Sequence, residues 1–211
     1  MDISNTEVAS RRAFPPLYTS SGDQGRDRLA FIHILERLKT QKRTGWVNHK
    51  IPNPERQNSF FTFCISDHMY RMAILAMLAT DQTLDVSKCV MMALVHDLAE
   101  AQVGDIAPNE DFTKEEKHRL EKEAMHNFVH VMLHNSPAAQ RIESLWKEYE
   151  RGETAEAKFV KDLDRFEMAS QALEYERNHG PSTLQSFFDS SIPQIRHPEA
   201  QQWGRDLMEE R

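Results

Sequence analysis

Apolar residues recur at helical spacing along most of the chain, and no stretch alternates with the period of two that a half-buried strand needs. That pattern predicts an all-α fold: a single-domain helical bundle. Cap residues mark the expected helices. Asp23 opens one to about Lys42, with Leu29, Ile32, Leu35 and Leu38 at helical spacing. Ser66 opens a second, with Met69, Met72, Ala73, Ala76 and Leu78 apolar, and Asp85 opens a third, with Val90, Ala93, Leu94 and Leu98. Gly104 and Pro108 end the third. Thr113-Lys114-Glu115-Glu116 is a capping box that starts a helix to about His134. Ser136-Pro137 starts the next by cap and first-turn proline, and Gly152 ends it. Residues 154–177 form another helix, stopped by Gly180-Pro181, and shorter ones follow at about 182–188 and 198–210. Residues 44–65 read as a long loop, and residues 1–22, with Pro15, Pro16, Ser20, Ser21 and Gly22, as a flexible tail before a domain over 23–211.

The chain has 211 residues, enough to bury a core without disulfide or metal staples. Cys64 and Cys89 form no C-x-x-C pair, so zinc ribbons and thioredoxin-like redox chemistry are excluded. Sparse cysteine and ten methionines suit a reducing compartment, so the expected location is cytoplasmic, with the nucleus also open. No apolar run approaches the ~18 residues of a membrane span, so no membrane partner is expected. Lys and Arg number 26 against 33 Asp and Glu, a net charge of -7, which argues against polymeric nucleic acid as a partner.

The segment Leu94-Val95-His96-Asp97-Leu98-Ala99-Glu100 places an ionisable pair inside an apolar helical stretch. Burial of such a pair costs several kcal/mol unless each group is paired or bound to metal. On a regular helix, at about 100° per residue, Glu100 falls about 40° from His96 and between it and Asp97. Three polar groups then share one strip, flanked by Ala93 and Gly104. An ordinary His-Asp core pair is the plainer reading, but Glu100 and Asp105 at the same helix end weigh against it. His68 sits in the first turn of the preceding helix, and Asp164 lies on the strip Ala157, Val160, Asp164, Met168 of the late helix. Two imidazoles and two carboxylates suit a divalent transition metal with room for water.

The order His68…His96-Asp97…Asp164 resembles the HD-domain phosphohydrolase superfamily. Ser66-Asp67-His68-Met69-Tyr70-Arg71, Ala93 to Glu100, Val103-Gly104-Asp105-Ile106-Ala107-Pro108 and Glu156 to Asp164 are similar to its 5'-deoxynucleotidase branch, over about residues 26–205. The resemblance implies that His68, His96, Asp97 and Asp164 hold a divalent metal (Mn, Co, Mg, Fe or Zn). It implies Glu100 and Asp105 as acid/base carboxylates, and Arg43 and Trp46 as contacts to phosphate and sugar. The implied reaction converts a deoxyribonucleoside 5'-monophosphate to deoxynucleoside and phosphate, in a homodimer. Arg56 to Cys64 stands out as an inserted loop between these motifs. Another HD-type phosphodiesterase or nucleotide phosphohydrolase with two metals would need further histidines, for which His126 and His130 are the candidates. His126, His130 and His134 share a helical face and read as a solvated or inter-helical stripe. A non-catalytic helical metal-binding module would have no use for spare carboxylates at Glu100 and Asp105.

Overall fold

The computed structural model describes residues 12–41, 43–48, 64–107, 110–179 and 184–211. Residues 56–63 of the expected insertion and the Gly180-Pro181 stop lie outside them. The helices are α1 Gln24–Ile34, α2 Glu36–Thr40, α3 Thr44–Asn48, α4 Ile65–Met77, α5 Val86–Ala93, α6 Glu100–Val103, α7 Lys114–His126, α8 Pro137–Arg151, α9 Ala155–His179, α10 Gln185–Ser191 and α11 Pro198–Glu210. A π-helical segment, Asn127–Met132, extends α7, and a 3-10 turn, Ile192–Gln194, follows α10. No strand occurs among the described residues, so the all-α expectation holds. No described helix is long and apolar enough to cross a membrane.

Four expected helix starts are built as the sequence predicts. Asp23 accepts from Arg26 N at 2.8 Å, Asp85 from Lys88 N at 3.0 Å and Ser136 from Ala139 N at 3.3 Å. Thr113 and Glu116 bond reciprocally. Each such cap is worth about 1 kcal/mol. Gly152 closes α8 in the left-handed region, with φ 65°.

Other boundaries move. The first helix breaks at Leu35 into α1 and α2. The cap of α4 is Cys64 rather than Ser66: Asp67 Oδ2 accepts from Cys64 N at 3.2 Å, so the helix starts at Ile65. The expected loop over 44–65 contains the one-turn helix α3. The helix expected to reach His134 widens into the π-segment, which presents Asn127, Phe128 and Val129 together to the interior.

The 25-residue α9 is the central post. Phe159, Val160 and Leu163 on it pack against Met72 and Ala76 of α4, Met92 of α5 and Leu145 of α8. Its C-terminal half, with Ala169, Ala172 and Leu173, packs against Trp46 of α3, Phe188 of α10 and Leu207 of α11. A further cluster joins α1 and α2 to α4, α6, α7 and α8 through Phe31, Leu38, Met69, Phe128 and Trp146.

Residues 12–22, the described part of the expected tail, lack regular structure. They are strapped to the bundle. Gln102 Nε2 donates to Pro15 O at 2.6 Å, Asn127 Nδ2 donates to Tyr18 O at 2.8 Å, and Arg12 Nη1 donates to Asp105 O at 2.9 Å. The strap is anchored on Asp27, which is wholly buried. Its carboxylate accepts from Tyr18 Oη, Ser20 Oγ, Ser21 N and Ser21 Oγ, and from His134 Nε2 at 2.8 Å. Burial works against that charge, but the hydrogen bonds from Ser20, Ser21 and Tyr18 outweigh it and hold the carboxyl well below its usual 3.8. A depressed carboxylate stabilises the fold fully above its unfolded pKa, and the contribution is lost as pH falls through the folded value. Asp27→Ala should therefore melt at a lower temperature than wild type at neutral pH, with the gap narrowing as pH drops below 3.8. Thermal melts of both proteins across acid pH check this, and a gap that stays constant would refute it.

Candidate metal centre and active site

The His96-Asp97 pair does not lie on a regular helix. α5 ends at Ala93 and α6 begins at Glu100. Between them His96 N still bonds Met92 O at 3.0 Å, but the backbone also tightens to three-residue hydrogen bonds: Val95 N to Met92 O at 3.1 Å, Leu98 N to Val95 O at 3.1 Å and Glu100 N to Asp97 O at 3.0 Å. The even 100° wheel assumed from sequence therefore fails here, because a tighter turn advances each residue further round the axis. The outcome is still convergence. His96 Nε2 and Asp97 Oδ2 lie 3.2 Å apart, and His68 Nε2 lies 3.8 Å from the same oxygen. Asp164, from α9, brings Oδ1 to 3.3 Å from His68 Nε2. Donor atoms of His68, His96 and Asp164 lie within 4.8 Å of one another. Four separate chain positions thus meet at one point, with Asp164 Oδ2 steadied by Tyr149 Oη at 3.0 Å.

The imidazole nitrogens show what the point is for. His96 Nδ1 donates to Ala93 O at 2.8 Å, and His68 Nδ1 donates to Glu167 Oε2 at 2.5 Å. Each bond puts the ring proton on Nδ1 and leaves the Nε2 lone pair facing the cluster. Both Nε2 atoms are buried and have no hydrogen-bond partner. A buried polar atom without a partner costs about 1–3 kcal/mol. Two such lone pairs beside two carboxylates fit a divalent cation, so the residues present suit the metal expected from sequence.

Glu167 is the functional residue that sequence reading missed. It is 2% exposed, lies three positions after Asp164 on the inner face of α9, and also faces Arg43 Nη1 and Arg71 Nε at 3.4 Å each. Its signal was its spacing from Asp164, which places both on one side of the helix. Arg71, one turn after His68, clasps Glu174 at 2.8 Å and 3.0 Å and donates to Gln171 Oε1 at 3.0 Å. This polar seam aligns α4 with α9.

The remaining expected residues surround the cluster. Glu100 opens α6 and is buried; burial first, then Asp97 and Asp105, push its carboxyl well above the usual range. Asp105 follows Gly104, whose φ of 71° favours glycine; a Cβ there would meet Gln41 Nε2 at 3.3 Å and Arg12 Nη1 at 3.4 Å. Asp105 Oδ2 accepts from Thr44 N at 2.6 Å, and its carbonyl accepts from Thr44 Oγ1 at 2.8 Å, so it caps α3. That contact places the start of α3, and with it Arg43, beside the carboxylates. Burial works against the Arg43 charge, but Asp164, Glu167, Asp97 and Asp105 outweigh it and raise the guanidinium pKa. Trp46 is buried, stacked on Phe187 at 4.2 Å and edge-on to Tyr175 at 5.2 Å. It shares a small cavity with Arg43, His68 and Glu167.

The histidine stripe on α7 takes no part. His134 bonds Asp27, His130 lies 3.7 Å from Glu143, and the His126 ring is tilted by 32° against that of His130 at 4.4 Å between centroids. Among the described residues, none of the three joins the His68 cluster.

Because Glu167 fixes the His68 tautomer, it should set metal affinity. Glu167→Gln should weaken divalent-metal binding about 10- to 100-fold in a chelator competition, as loss of the carboxylate that orients a ligating histidine does. Unchanged affinity would mean that the ring is oriented by its packing alone.

Residues 35–202 match the HD domain family. The chain is 45% identical over 194 residues to 5'-deoxynucleotidase HDDC2 of Homo sapiens, covering 92% of this chain and 90% of that protein. It is 45% identical over 183 residues to 5'-deoxynucleotidase hdd1 of Schizosaccharomyces pombe, covering 86% and 88%. The solved structure of the HD domain-containing protein YGK1 superposes with a TM-score of 0.67 at 32% identity, covering 90% of this chain and 88% of that one. A conserved hypothetical protein from Pyrococcus furiosus superposes with a TM-score of 0.64 at 26% identity, covering 86% and 97%. With four donors brought to one point and a family match across most of its length, the chain belongs to the HD-domain family.

Proposed function

We propose that this chain is a divalent-metal-dependent 5'-deoxynucleotidase, which hydrolyses deoxyribonucleoside 5'-monophosphates to deoxynucleoside and phosphate. The observation that carries the reading is the pair of buried, partnerless Nε2 atoms facing Asp97 and Asp164, with the charges of Asp97 and Asp105 reaching the buried Glu100. The names and identities of the human and fission-yeast relatives support the substrate class.

In this reading His68, His96, Asp97 and Asp164 hold the cation. When bound, a divalent ion would supply Lewis acidity toward water and a phosphoryl oxygen. Arg43 offers its fork to the phosphate oxygens, and Trp46 closes the sugar side of the site. Glu100, one turn from the ligands, accepts the proton of the attacking water as the new P–O bond forms. Asp105 delivers a proton to O5' as the old P–O bond breaks, so deoxynucleoside leaves neutral. The pocket is anionic without its cation, consistent with the upward push on Glu100. Cation and Arg43 together reverse that field for a phosphate.

The decisive measurement is phosphate release from deoxynucleoside monophosphates by chelated protein, with each divalent metal supplied in turn and ribonucleotides run alongside. Activity confined to cyclic or triphosphate substrates would overturn the reading. Glu100→Ala and Asp105→Ala should each lower kcat about 100-fold or more while metal content stays normal. A variant that loses its metal would instead identify that residue as a ligand.

We also propose that the working unit is a homodimer. Tyr70, Ile74, Met77 and Leu78 recur on one exposed face of α4, and Met91 and Leu94 are exposed on the adjoining α5 and its cap. A contiguous apolar face of this kind suits a self-complementary seam with a second copy. Ile74→Asp should shift the chain from dimer to monomer in sedimentation, and a monomeric wild type would refute the seam.

A further inference from the structure

A second group of metal-ligating side chains lies at the packing of α7 on α8. His118 and Glu121 are three residues apart on α7 and therefore neighbours on its surface. Glu150 comes from the last turn of α8. His118 Nδ1 stands 3.1 Å from Glu150 Oε2, and one donor atom from each of the three residues lies within 4.8 Å of the other two. Ligand bonds of about 2.0–2.2 Å in a tetrahedral shell set neighbouring donors about 3.4 Å apart. The His118–Glu150 edge already has about that dimension, and Glu121 lies within 4.8 Å of both.

The surroundings favour an ion. The His118 ring lies parallel to Trp146, at 10° and 6.2 Å between centroids, which holds its edge toward the carboxylates. The side chain of His118 is 54% exposed, so an ion enters from solvent. Burial pushes the Glu121 carboxyl up to about 7; Lys117, at 3.6 Å, opposes the push and Glu150 adds to it. Two carboxylates forced together next to an imidazole are relieved by a cation between them.

We propose that His118, Glu121 and Glu150 form a second divalent-metal site, separate from the His68 cluster, which takes a transition ion of the zinc class with water completing its shell. One imidazole and two carboxylates suit zinc or cobalt better than calcium. On binding, the hydrogen bond from His118 Nδ1 to Glu150 is exchanged for two bonds to the ion, and the ring proton moves to the solvent-facing Nε2.

Zinc content after equilibrium dialysis tests this. His118→Ala and Glu150→Gln should each hold one ion fewer than wild type, with circular dichroism checking that their folds are intact. Cobalt should quench the Trp146 emission, assigned by difference from Trp146→Phe, and His118→Ala should abolish that quenching. His68→Ala should retain it, because that variant loses the other ion. Zinc content in His118→Ala equal to that of wild type, or undiminished quenching in that variant, would overturn the proposal.

Discussion

The hydrogen bond from His68 to Glu167 governs the rest of the site. It joins α4 to α9 across the middle of the bundle and decides which imidazole nitrogen looks inward. Without it the ring could turn, and Nδ1 rather than Nε2 would meet Asp97 and Asp164. Because Glu167 is also held by Arg43 and Arg71, one buried carboxylate coordinates the ring and the helix pairing with the guanidinium that faces the cluster. Packing around α9 then makes the arrangement rigid: Val160 and Leu163, just before Asp164, are wholly buried.

Electrostatics explains why such a centre sits in an acidic chain. Asp97, Glu100, Asp105, Asp164 and Glu167 crowd one region, with Arg43 and Lys117 as cations that their charges reach. Burial alone would drive protons onto several of these carboxylates. A resident cation is the economical alternative, since it neutralises the crowd and leaves oxygens free to accept and deliver protons. The net charge of -7 is thus compatible with a phosphate ester as substrate, because the sign of the field is set locally.

Much of this was legible in the sequence. Caps at Asp23, Asp85, Thr113 and Ser136 are local side-chain-to-backbone bonds, so they can be read from a few neighbouring residues. The four converging donors were legible as a spacing pattern. Three features were not. The break between α5 and α6 is imposed by tertiary contacts on residues with adequate helix propensity, since Ala99 and Ala101 are buried in the core. The cap at Cys64 escaped because the carboxylate that does the work belongs to Asp67, not to the expected Ser66. The strap over residues 12–22 depends on partners such as Asp105, 93 positions away, and composition carries no trace of them. Glu167 was hidden for a different reason: a charged residue on a helix reads as solvent-facing unless its partners are known.

The tight turn from Leu94 to Ala99 has a consequence for any attempt to make the protein more robust. Helix-promoting substitutions are a dependable route to stability on regular segments. Here they would splice α5 to α6 and restore an even helical step, which would carry Asp97 away from His68. The break in the helix is therefore the one place that an engineer should leave alone. Gains should be sought instead on the outer face of α11, where an extra increment of helicity touches no donor.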